Sequence, residues 1–394
     1  MHWLNLTLLF LAQLISATGA IVLVTLGGII GSYLVSNPAW ATLSVSMTVV
    51  ASALATIPAA TLMHRIGRRK GFALGSLSAV IAALLAAWSL YHEHFPVFVI
   101  SGFIFGINLA FTQHYRFAAA ESVDKPFVPR AISMVLVGAI GGALVGPELI
   151  TIGKDWVADV PYAGTMYALA VIYALQLLLF VFLEKSRAEA SDDEVVPARQ
   201  FAEIIRQPVF IVAVIGGVAG YGLMTFVMTA TPLSMHVLQG HDIDVTKNVI
   251  RAHVLAMYIP SLVSGFLIER LGLVRMMVVG ALALIATSVV GLQGHEVLHY
   301  WWALVLLGVG WNFLYVGATT MLTLTYTDAE RFRVQGFNDF AVFGASATAS
   351  LLAGTVLHFF GWEKLMWIPV PILVVVVAAL LWVRKDALLK KGAA

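Results

Sequence analysis

Long apolar runs alternate with short polar segments along the whole chain, and each run is long enough to cross a membrane. A spanning helix needs about 20 mostly apolar residues, and the polar segments between the runs are charged or marked by Pro and Gly. The pattern therefore predicts an all-α membrane protein with twelve transmembrane helices. The predicted helices cover residues 5–35, 40–62, 72–91, 96–118, 131–152, 162–183, 209–235, 249–268, 274–292, 300–322, 335–358 and 365–383.

The longest polar stretch divides these helices into two groups of six. It contains the segment EKSRAEASDDEVVPARQ, which is charged, includes proline and has no helical period. We interpret it as a cytoplasmic linker between two bundles, since six helices plus six is a common transporter plan. The predicted domains are an N-terminal six-helix bundle at 1–183, the linker at 184–208 and a C-terminal six-helix bundle at 209–394.

Lysine and arginine are distributed unevenly between the two sides of the predicted membrane. All but four of the 23 fall in the loops and tail on one side. Because cytoplasmic loops carry an excess of Lys and Arg, both termini are predicted to be cytoplasmic. We interpret the N-terminal apolar segment as a retained first helix and not as a cleaved signal peptide, because it lacks a basic n-region. The four exceptions are Lys154, Lys247, Arg251 and Lys364.

Composition excludes several classes of function. The 394 residues are 60% hydrophobic and 11% charged, against about 25% charged in soluble domains. Twelve spans leave no room for a soluble catalytic domain, and no Walker loop is present for ATP. We therefore predict a non-enzymatic protein without a resident cofactor. Its surroundings are the lipid bilayer, its net charge of +2 gives no reason to expect nucleic acid, and we expect a monomer.

A short motif occurs twice, after the second and the eighth predicted helices. Residues 60–70 read ATLMHRIGRRK and residues 265–275 read GFLIERLGLVR. Both resemble the loop signature of the major facilitator superfamily, Gly-x-x-x-Asp-Arg-x-Gly-Arg-Arg, although His64 takes the acidic position in the first copy. The resemblance implies the fold of that superfamily. It also implies a gating role at the cytoplasmic ends of the bundles for Arg65, Gly67, Arg68, Arg69, Glu269, Arg270 and Gly272.

Sulfur and imidazole side chains stand at helical spacing on the seventh and eighth predicted helices. Met224 and Met228 are four residues apart, as are His253 and Met257, so each pair lies on one helix face. We expect these two helices to run antiparallel and to touch. Thioether and imidazole suit Cu(I), and the chain has no cysteine. Apolar packing also explains such pairs, and both interpretations stay open on the residues alone.

The ordered combination of the two motifs resembles the signature of the CcoA-like copper importers. The resemblance implies that these four side chains bind copper. Met235, seven residues after Met228, and His236 are candidates for accessory ligands. It further implies import across the bacterial inner membrane for maturation of cbb3-type cytochrome oxidase, with a copper chaperone or oxidase assembly factors downstream. Further segments that extend the resemblance are residues 113–121, 129–133, 146–148, 311–313 and 335–339.

The same branch is similar to riboflavin transporters, so uptake of an organic nutrient is an alternative. In that case Trp311, Tyr315 and Phe337 would stack on an aromatic ring, while Asn312 and Asn338 would bond its polar edge. Substitution of Asn312 is then expected to abolish riboflavin uptake and to spare copper uptake. An exporter of drugs or metabolites and a membrane-embedded assembly or sensing protein are further alternatives.

Several polar residues in or near the predicted spans are candidates for coupling or for the substrate cavity, since such residues are expensive in a bilayer. Glu148 and Asp339 are candidates for proton uptake, and Arg116 with Glu121 is expected to form a structural pair at the cytoplasmic mouth. The complete set is Arg116, Glu121, Glu148, Asn312, Tyr315, Asn338 and Asp339.

Overall fold

The computed structural model describes residues 3–123, 128–184, 199–327 and 330–386, and the regular elements in these ranges are helical. The all-helical fold confirms the prediction from the hydrophobic pattern. In chain order the helices are α1 (Trp3–Leu34), α2 (Leu43–Ile66), α3 (Arg68–Tyr91), α4 (Phe95–Thr112), α5 (Tyr115–Glu121), α6 (Val128–Gly153), α7 (Ala163–Leu179), α8 (Phe201–Ile205), α9 (Pro208–Pro232), α10 (Ile243–Tyr258), α11 (Ser261–Leu271), α12 (Leu273–Gly291), α13 (Val297–Thr323), α14 (Arg331–Trp367) and α15 (Pro369–Val383).

Nine segments of the described chain are long and apolar enough to cross a membrane. The last of them, Arg333–Val383, is 51 residues long and contains both α14 and α15, which is enough length for two spans. Two further predicted spans fall outside the nine segments. One corresponds to α6, which contributes the shorter apolar stretch Val137–Gly153, and the other is divided between α10 and α11.

Three of the predicted continuous helices are interrupted. The fourth ends at Thr112 and resumes as the short α5. The eighth breaks between α10 and α11, where Pro260 stands immediately before the new helix and supplies no backbone N–H for the preceding one. The seventh passes into a π-helical turn at Leu233–Leu238, directly after Pro232, where one α-helical hydrogen bond is missing for the same reason.

The duplicated motif has the same backbone conformation in both copies. Gly67 has φ 84° and Gly272 has φ 86°, a left-handed region that favours glycine. Each glycine ends one helix and starts the next, and the amide N–H donates to the carbonyl four residues back, of Met63 or Ile268, at 2.9 Å. Arg65 and Arg69 are exposed. Arg270 lies over the Phe266 ring at 5.0 Å.

The side chains of His64 and Glu269 lie outside the described part of the structure. Arg68 is half-buried beside its glycine and has other contacts of its own. The structural repeat therefore supports a common role for the two loops. The gating role of these arginines stays a prediction.

The chain divides into two compact units. Unit 1 comprises the described residues of Met1–Ala190 and the segment His236–Arg251; unit 2 comprises those of Ser191–Met235 and Ala252–Ala394. The segment 236–251 thus belongs with the N-terminal unit, although it lies within the predicted C-terminal bundle. In unit 1 the main packed pairs are α1–α6, α2–α4, α3–α4 and α3–α7. In unit 2 they are α12–α13, α9–α14 and α9–α13.

A buried amide joins three helices at the centre of unit 1. The Nε2 atom of Gln176 on α7 donates to the Ala12 carbonyl at 2.7 Å and to Ser16 Oγ at 2.9 Å, both on α1. Ser76 Oγ on α3 donates to Gln176 Oε1 at 2.9 Å. Interhelical hydrogen bonds of this kind hold membrane helices together where lipid gives no hydrophobic drive for their association.

Most of the predicted linker, residues 185–198, lies outside the described part of the chain. Its described end is ordered: Arg199 donates from Nε to Glu330 Oε1 at 2.8 Å and from Nη2 to Glu330 Oε2 at 2.7 Å, just before α8 begins. The Arg199 guanidinium, together with the Thr327 amide, holds the pKa of the buried Glu330 carboxyl well below its usual range. A charged hydrogen-bonded contact therefore joins the segment before α8 to the segment before α14 in unit 2.

Candidate functional site

Five aromatic rings from four helices of unit 2 form one cluster, in which Trp311 is buried and the other four residues are half-buried. Trp311 and Tyr315 on α13 stack with ring centroids 5.3 Å apart and an interplanar angle of 16°. Tyr221 on α9 meets both rings edge-on, at 5.6 and 5.2 Å, and meets Phe343 on α14 at 5.5 Å. Tyr258 on α10 approaches Trp311 at 6.2 Å. Aromatic pairs favour these offset and edge-to-face geometries, so the cluster is a preformed aromatic wall.

Helix spacing explains why the cluster forms at this level. Trp311 and Tyr315 are four residues apart on α13 and therefore share one face. The same face carries Gly308, where a Cβ atom would lie 2.6 Å from the backbone oxygen of His253. Glycine at this position therefore permits the close approach of α10 that brings Tyr258 to the cluster.

The indole N–H of Trp311 is an unpaired donor inside this cluster. Trp311 is only 6% exposed, and its Nε1 atom has no hydrogen-bond partner among the described residues. Buried polar atoms in folded proteins are almost always hydrogen-bonded. An orphan donor in an aromatic wall therefore marks a position where a ligand or a water molecule could supply the acceptor.

Asn312, the neighbour of Trp311, has hydrogen-bond partners for both polar atoms of its side chain. Its Nδ2 atom donates to the Met257 carbonyl at 2.7 Å and to the Ser261 hydroxyl. Its Oδ1 atom accepts from Ser264 Oγ at 2.7 Å, and the residue is fully buried. The expectation that Asn312 bonds the edge of a ligand is therefore corrected: this amide holds α13 to the break between α10 and α11.

His253 carries a second unpaired polar atom in unit 2. The residue is fully buried, and its Nδ1 atom lies 2.8 Å from the Leu304 carbonyl of α13. A carbonyl only accepts, so Nδ1 carries the proton and the neutral ring presents Nε2 as an acceptor. Nε2 has no partner among the described residues. A charged imidazole here would leave a buried N–H⁺ unpaired, which is strongly unfavourable.

The three predicted methionine ligands are buried in unit 2. Met224 is 6% exposed, and Met228 and Met257 are each 8% exposed. Met224 and Met228 follow Tyr221 by three and seven residues and thus share its face of α9. The adjacent face is fixed against α14 by the Thr225–Ser346 hydrogen bond at 3.2 Å. The Met224 and Met228 side chains and the aromatic wall consequently lie on the same side of α9.

Helix register gives the relative depths of these groups. Residue numbers fall along α13 as they rise along α9, since Gly216 approaches Ala318 and Tyr221 contacts Trp311. Met228 lies seven residues beyond Tyr221, and Leu304 lies seven residues before Trp311. At about 1.5 Å per residue, both are about 10 Å from the aromatic level in the same direction. Met228 and the His253 imidazole are therefore at similar depth, in agreement with the antiparallel arrangement that we predicted.

The contacts of His236 bear on its expected role as an accessory ligand. His236 uses both ring nitrogens: Nδ1 donates to the His241 carbonyl at 2.7 Å, and Nε2 accepts from the Tyr33 hydroxyl at 3.4 Å. Neither nitrogen is therefore left for a metal ion in this structure, which corrects the expectation for His236. Met235 is fully buried in unit 2, and its role as an accessory ligand stays a prediction.

The predicted residues of α14 also separate from the aromatic cluster. Phe337 packs on Phe201 at 5.5 Å and on Phe210 at 6.0 Å. Its expected stacking on a substrate ring, together with Trp311 and Tyr315, stays a prediction. Asn338 is buried and its Nδ2 atom donates to Asp339 Oδ1 at 3.3 Å. Asp339 has further contacts of its own, and a coupling role for this pair stays a prediction.

Charged side chains of α6 and α10 form a network within unit 1. Glu148 pairs with Arg251, and Asp244 lies 3.0 Å from Lys247 Nζ and 3.6 Å from Lys154 Nζ. The hydrogen bond from Lys247 holds the pKa of the Asp244 carboxyl below its usual range. Glu148 is thus one half of an ion pair, and its role in proton uptake stays a prediction.

Arg116 lies near His114 at the end of α4. Burial, together with the charges of Arg68 and Arg116, lowers the pKa of His114 to about 4. The side chain of Glu121 lies outside the described part of the structure, so the expected Arg116–Glu121 pair stays a prediction.

Three members of the aromatic cluster were not identified from the sequence: Tyr221, Tyr258 and Phe343. Tyr221 could have been found from its position on the face of Met224 and Met228. The other two are brought to the cluster by packing between helices, for which the sequence has no local signal.

The helical fold with its many apolar spans is that of a polytopic membrane protein. The family model described as "Major Facilitator Superfamily" matches residues 9–250 and 241–393. The chain belongs to the major facilitator superfamily, as the duplicated loop motif predicts. It is a non-enzymatic transporter of that superfamily.

Curated relatives cover almost the whole chain. The riboflavin transporter RfnT of Brucella anthropi is 39% identical over 391 residues, which cover 99% of this chain and 97% of RfnT. The MFS-type transporter YdeG of Bacillus subtilis is 28% identical over 368 residues, covering 88% and 84% respectively. The first relative favours the organic-nutrient alternative over the copper interpretation.

Solved structures share the fold at low identity. A point mutant of the nucleoside transporter NupG aligns with a TM-score of 0.75 at 15% identity, over 97% of this chain and 100% of NupG. A bacterial homologue of the human lysosomal transporter Spinster, in an inward-facing and unoccupied conformation, aligns with a TM-score of 0.72 at 14% identity, over 97% of both chains. At such identities the similarity shows the fold alone.

Proposed function

We propose that this protein is a secondary-active transporter of riboflavin, or of a flavin with the same ring system. The observation that carries the proposal is the aromatic wall of unit 2 with the unpaired indole N–H of Trp311. A planar heteroaromatic ring stacks on or packs edge-on against such rings, and a ring carbonyl accepts from the indole. The 39% identity to a protein described as a riboflavin transporter supports the same substrate class.

The proposed setting is the bacterial inner membrane, with both termini in the cytoplasm and riboflavin imported. The excess of Lys and Arg on one side supports this orientation. Two six-helix bundles, at 1–183 and 209–394, joined by the linker at 184–208, would alternate access to the substrate as in other transporters of this plan.

Copper is a second candidate substrate, and one observation favours it. The Nε2 atom of His253 has no hydrogen-bond partner among the described residues. It lies on α10 at about the same depth as Met228 on α9. Imidazole and thioether are suitable ligands for Cu(I). In this alternative Met224, Met228, His253 and Met257 hold the ion during transport, and the aromatic wall is packing.

Uptake of both substrates by one set of variants tests the proposal. Riboflavin and copper uptake are measured in cells expressing wild type, Trp311→Phe, Met228→Leu or the control Trp302→Phe. Trp302 lies on the same helix but is 48% exposed. Trp311→Phe keeps an aromatic ring and removes the N–H, so the KM for riboflavin is expected to rise about fivefold to tenfold, the equivalent of one hydrogen bond. Trp302→Phe should leave KM unchanged.

Met228→Leu distinguishes the two candidates. Leucine preserves bulk and apolarity, so a packing methionine tolerates the change at a cost below about 1.5 kcal/mol, and riboflavin uptake should persist. Copper uptake that depends on the protein and is lost in Met228→Leu, without any riboflavin uptake by wild type, would replace the proposal by the second candidate.

A further inference from the structure

We propose that His253 recognises the polyhydroxyl chain of the substrate. Its Nε2 atom accepts a hydrogen bond from one hydroxyl of the ribityl chain while the flavin ring packs against the aromatic wall. This inference rests on the proposed function. It makes His253 a specificity-determining residue, which selects a ring that carries a polyol over the bare ring.

The protonation of His253 follows from its one bond. The Leu304 carbonyl, 2.8 Å from Nδ1, accepts and cannot donate, so Nδ1 holds the proton of the neutral ring. Nε2 is left with a lone pair that points away from α13. Its complement is a neutral donor, and a hydroxyl group is such a donor.

An unpaired buried acceptor has a cost that a ligand removes. His253 is fully buried, and leaving a buried polar atom without a partner is unfavourable. The described part of unit 2 leaves three such atoms on α10 and α13, on Trp311, His253 and His299. The Trp311 donor and the His253 acceptor are the two that lie nearest to the aromatic wall in helix register. A single ligand with an acceptor on its ring and a donor on its side chain satisfies both.

The spacing of residues along α13 fits a ring joined to a chain. Trp311 and Leu304, which bonds His253, are two turns apart, or about 10 Å along the helix axis. On α10, Tyr258 joins the aromatic wall at 6.2 Å from Trp311, and His253 precedes it by five residues. Both helices therefore carry the ring site at one level and the histidine further along. The separation is of the order of the length from the flavin ring to the outer ribityl hydroxyls.

Two substitutions separate the two nitrogens of His253. His253→Asn places an amide near the position of Nδ1, so it keeps the bond to Leu304 and removes the Nε2 acceptor. His253→Gln places an amide oxygen near the position of Nε2, so it keeps an acceptor and gives up the Leu304 bond. If the inference is right, only the asparagine variant loses discrimination between substrates.

The experiment measures binding of riboflavin and of lumiflavin, which has the same ring with a methyl group instead of the ribityl chain, to purified protein by flavin fluorescence. Wild type is expected to bind riboflavin about tenfold more tightly than lumiflavin. His253→Asn should bring this ratio close to one, through weaker riboflavin binding alone, and His253→Gln should keep most of it. An unchanged ratio in His253→Asn overturns the inference.

Riboflavin analogues that lack single ribityl hydroxyls give a second test on wild type, which needs no variant to fold. Loss of one particular hydroxyl should weaken binding about tenfold, and the same loss should have no effect in His253→Asn. Equal binding of all analogues by wild type overturns the inference. Failure of wild type to bind either flavin is a separate result, which removes the proposed function itself.

Discussion

Adjacent residues of α13 have opposite roles in unit 2. Trp311 keeps its indole N–H without a partner among the described residues, whereas Asn312 uses its amide on Met257, Ser261 and Ser264. A buried amide with bonds to the backbone and to two hydroxyls stabilises the fold, because its removal leaves several buried groups unpaired. The Trp311 donor is available to bind a ligand.

Substitution of Asn312 is therefore expected to affect stability before it affects substrate choice. Asn312→Leu should lower the free energy of unfolding by about 1–3 kcal/mol, because it removes the bonds to the Met257 carbonyl and to Ser261, whereas Ser264 keeps its bond to the Pro260 carbonyl. The apparent Tm, followed by circular dichroism, should fall by several degrees. Thr319→Val, at an exposed position of the same helix, is the control and should change little. An unchanged Tm with lost riboflavin affinity would instead make Asn312 a ligand contact.

At the scale of helices, the two glycine turns are the clearest repeat in the structure. Gly67 and Gly272 have φ near 85° and the same hydrogen bonds to the preceding helix. A Cβ atom at either position would meet nothing within 4 Å. Any cost of a side chain there is consequently conformational and not steric.

Gly67→Ala and Gly272→Ala should each destabilise the protein by about 1–2 kcal/mol, because L-residues are strained at positive φ. The matched control is Gly344→Ala in α14, where the backbone is helical and the space is also open. That change should stabilise by about 0.5–1 kcal/mol. Thermal unfolding of the three variants checks the opposite signs. Equal shifts for all three would show that the turns are not strained by a side chain.

The charge network of α6 and α10 explains an anomaly in the loop charges. Three of the four exceptions to the one-sided distribution of Lys and Arg, namely Lys154, Lys247 and Arg251, pair with Asp244 or Glu148. Paired cations add little net charge to their side of the membrane.

At the scale of the whole molecule, the orientation in the membrane can be tested directly, because the chain has no cysteine. Single cysteines are introduced at Gln293, between α12 and α13, and at Lys70, at the start of α3; both positions are exposed. In intact spheroplasts a membrane-impermeant maleimide should label Gln293→Cys at once and Lys70→Cys only after permeabilisation. The reverse pattern would invert the proposed topology.

The hydrophobic pattern determined the helical class and the membrane-spanning character of the chain and predicted two sets of six helices, and the duplicated motif indicated the superfamily. These features are readable because the length of an apolar segment is a local property of the chain, and a bilayer requires each span to satisfy its own backbone. Helix breaks such as the one at Pro260 are marked locally by proline, but a prediction from the pattern of apolar residues alone does not use that signal.

The partners of individual side chains were decided only by the tertiary structure. Asn312 bonds the Met257 carbonyl, His253 bonds the Leu304 carbonyl, and His236 bonds the His241 carbonyl, and backbone carbonyls carry no mark in the sequence. Helix rotation and register also bring Tyr221, Tyr258 and Phe343 to the aromatic wall from positions that are distant in the chain. Residue types at helical spacing therefore indicated the candidate ligands. Only packing between helices determined which of their polar atoms are left without a hydrogen-bond partner among the described residues.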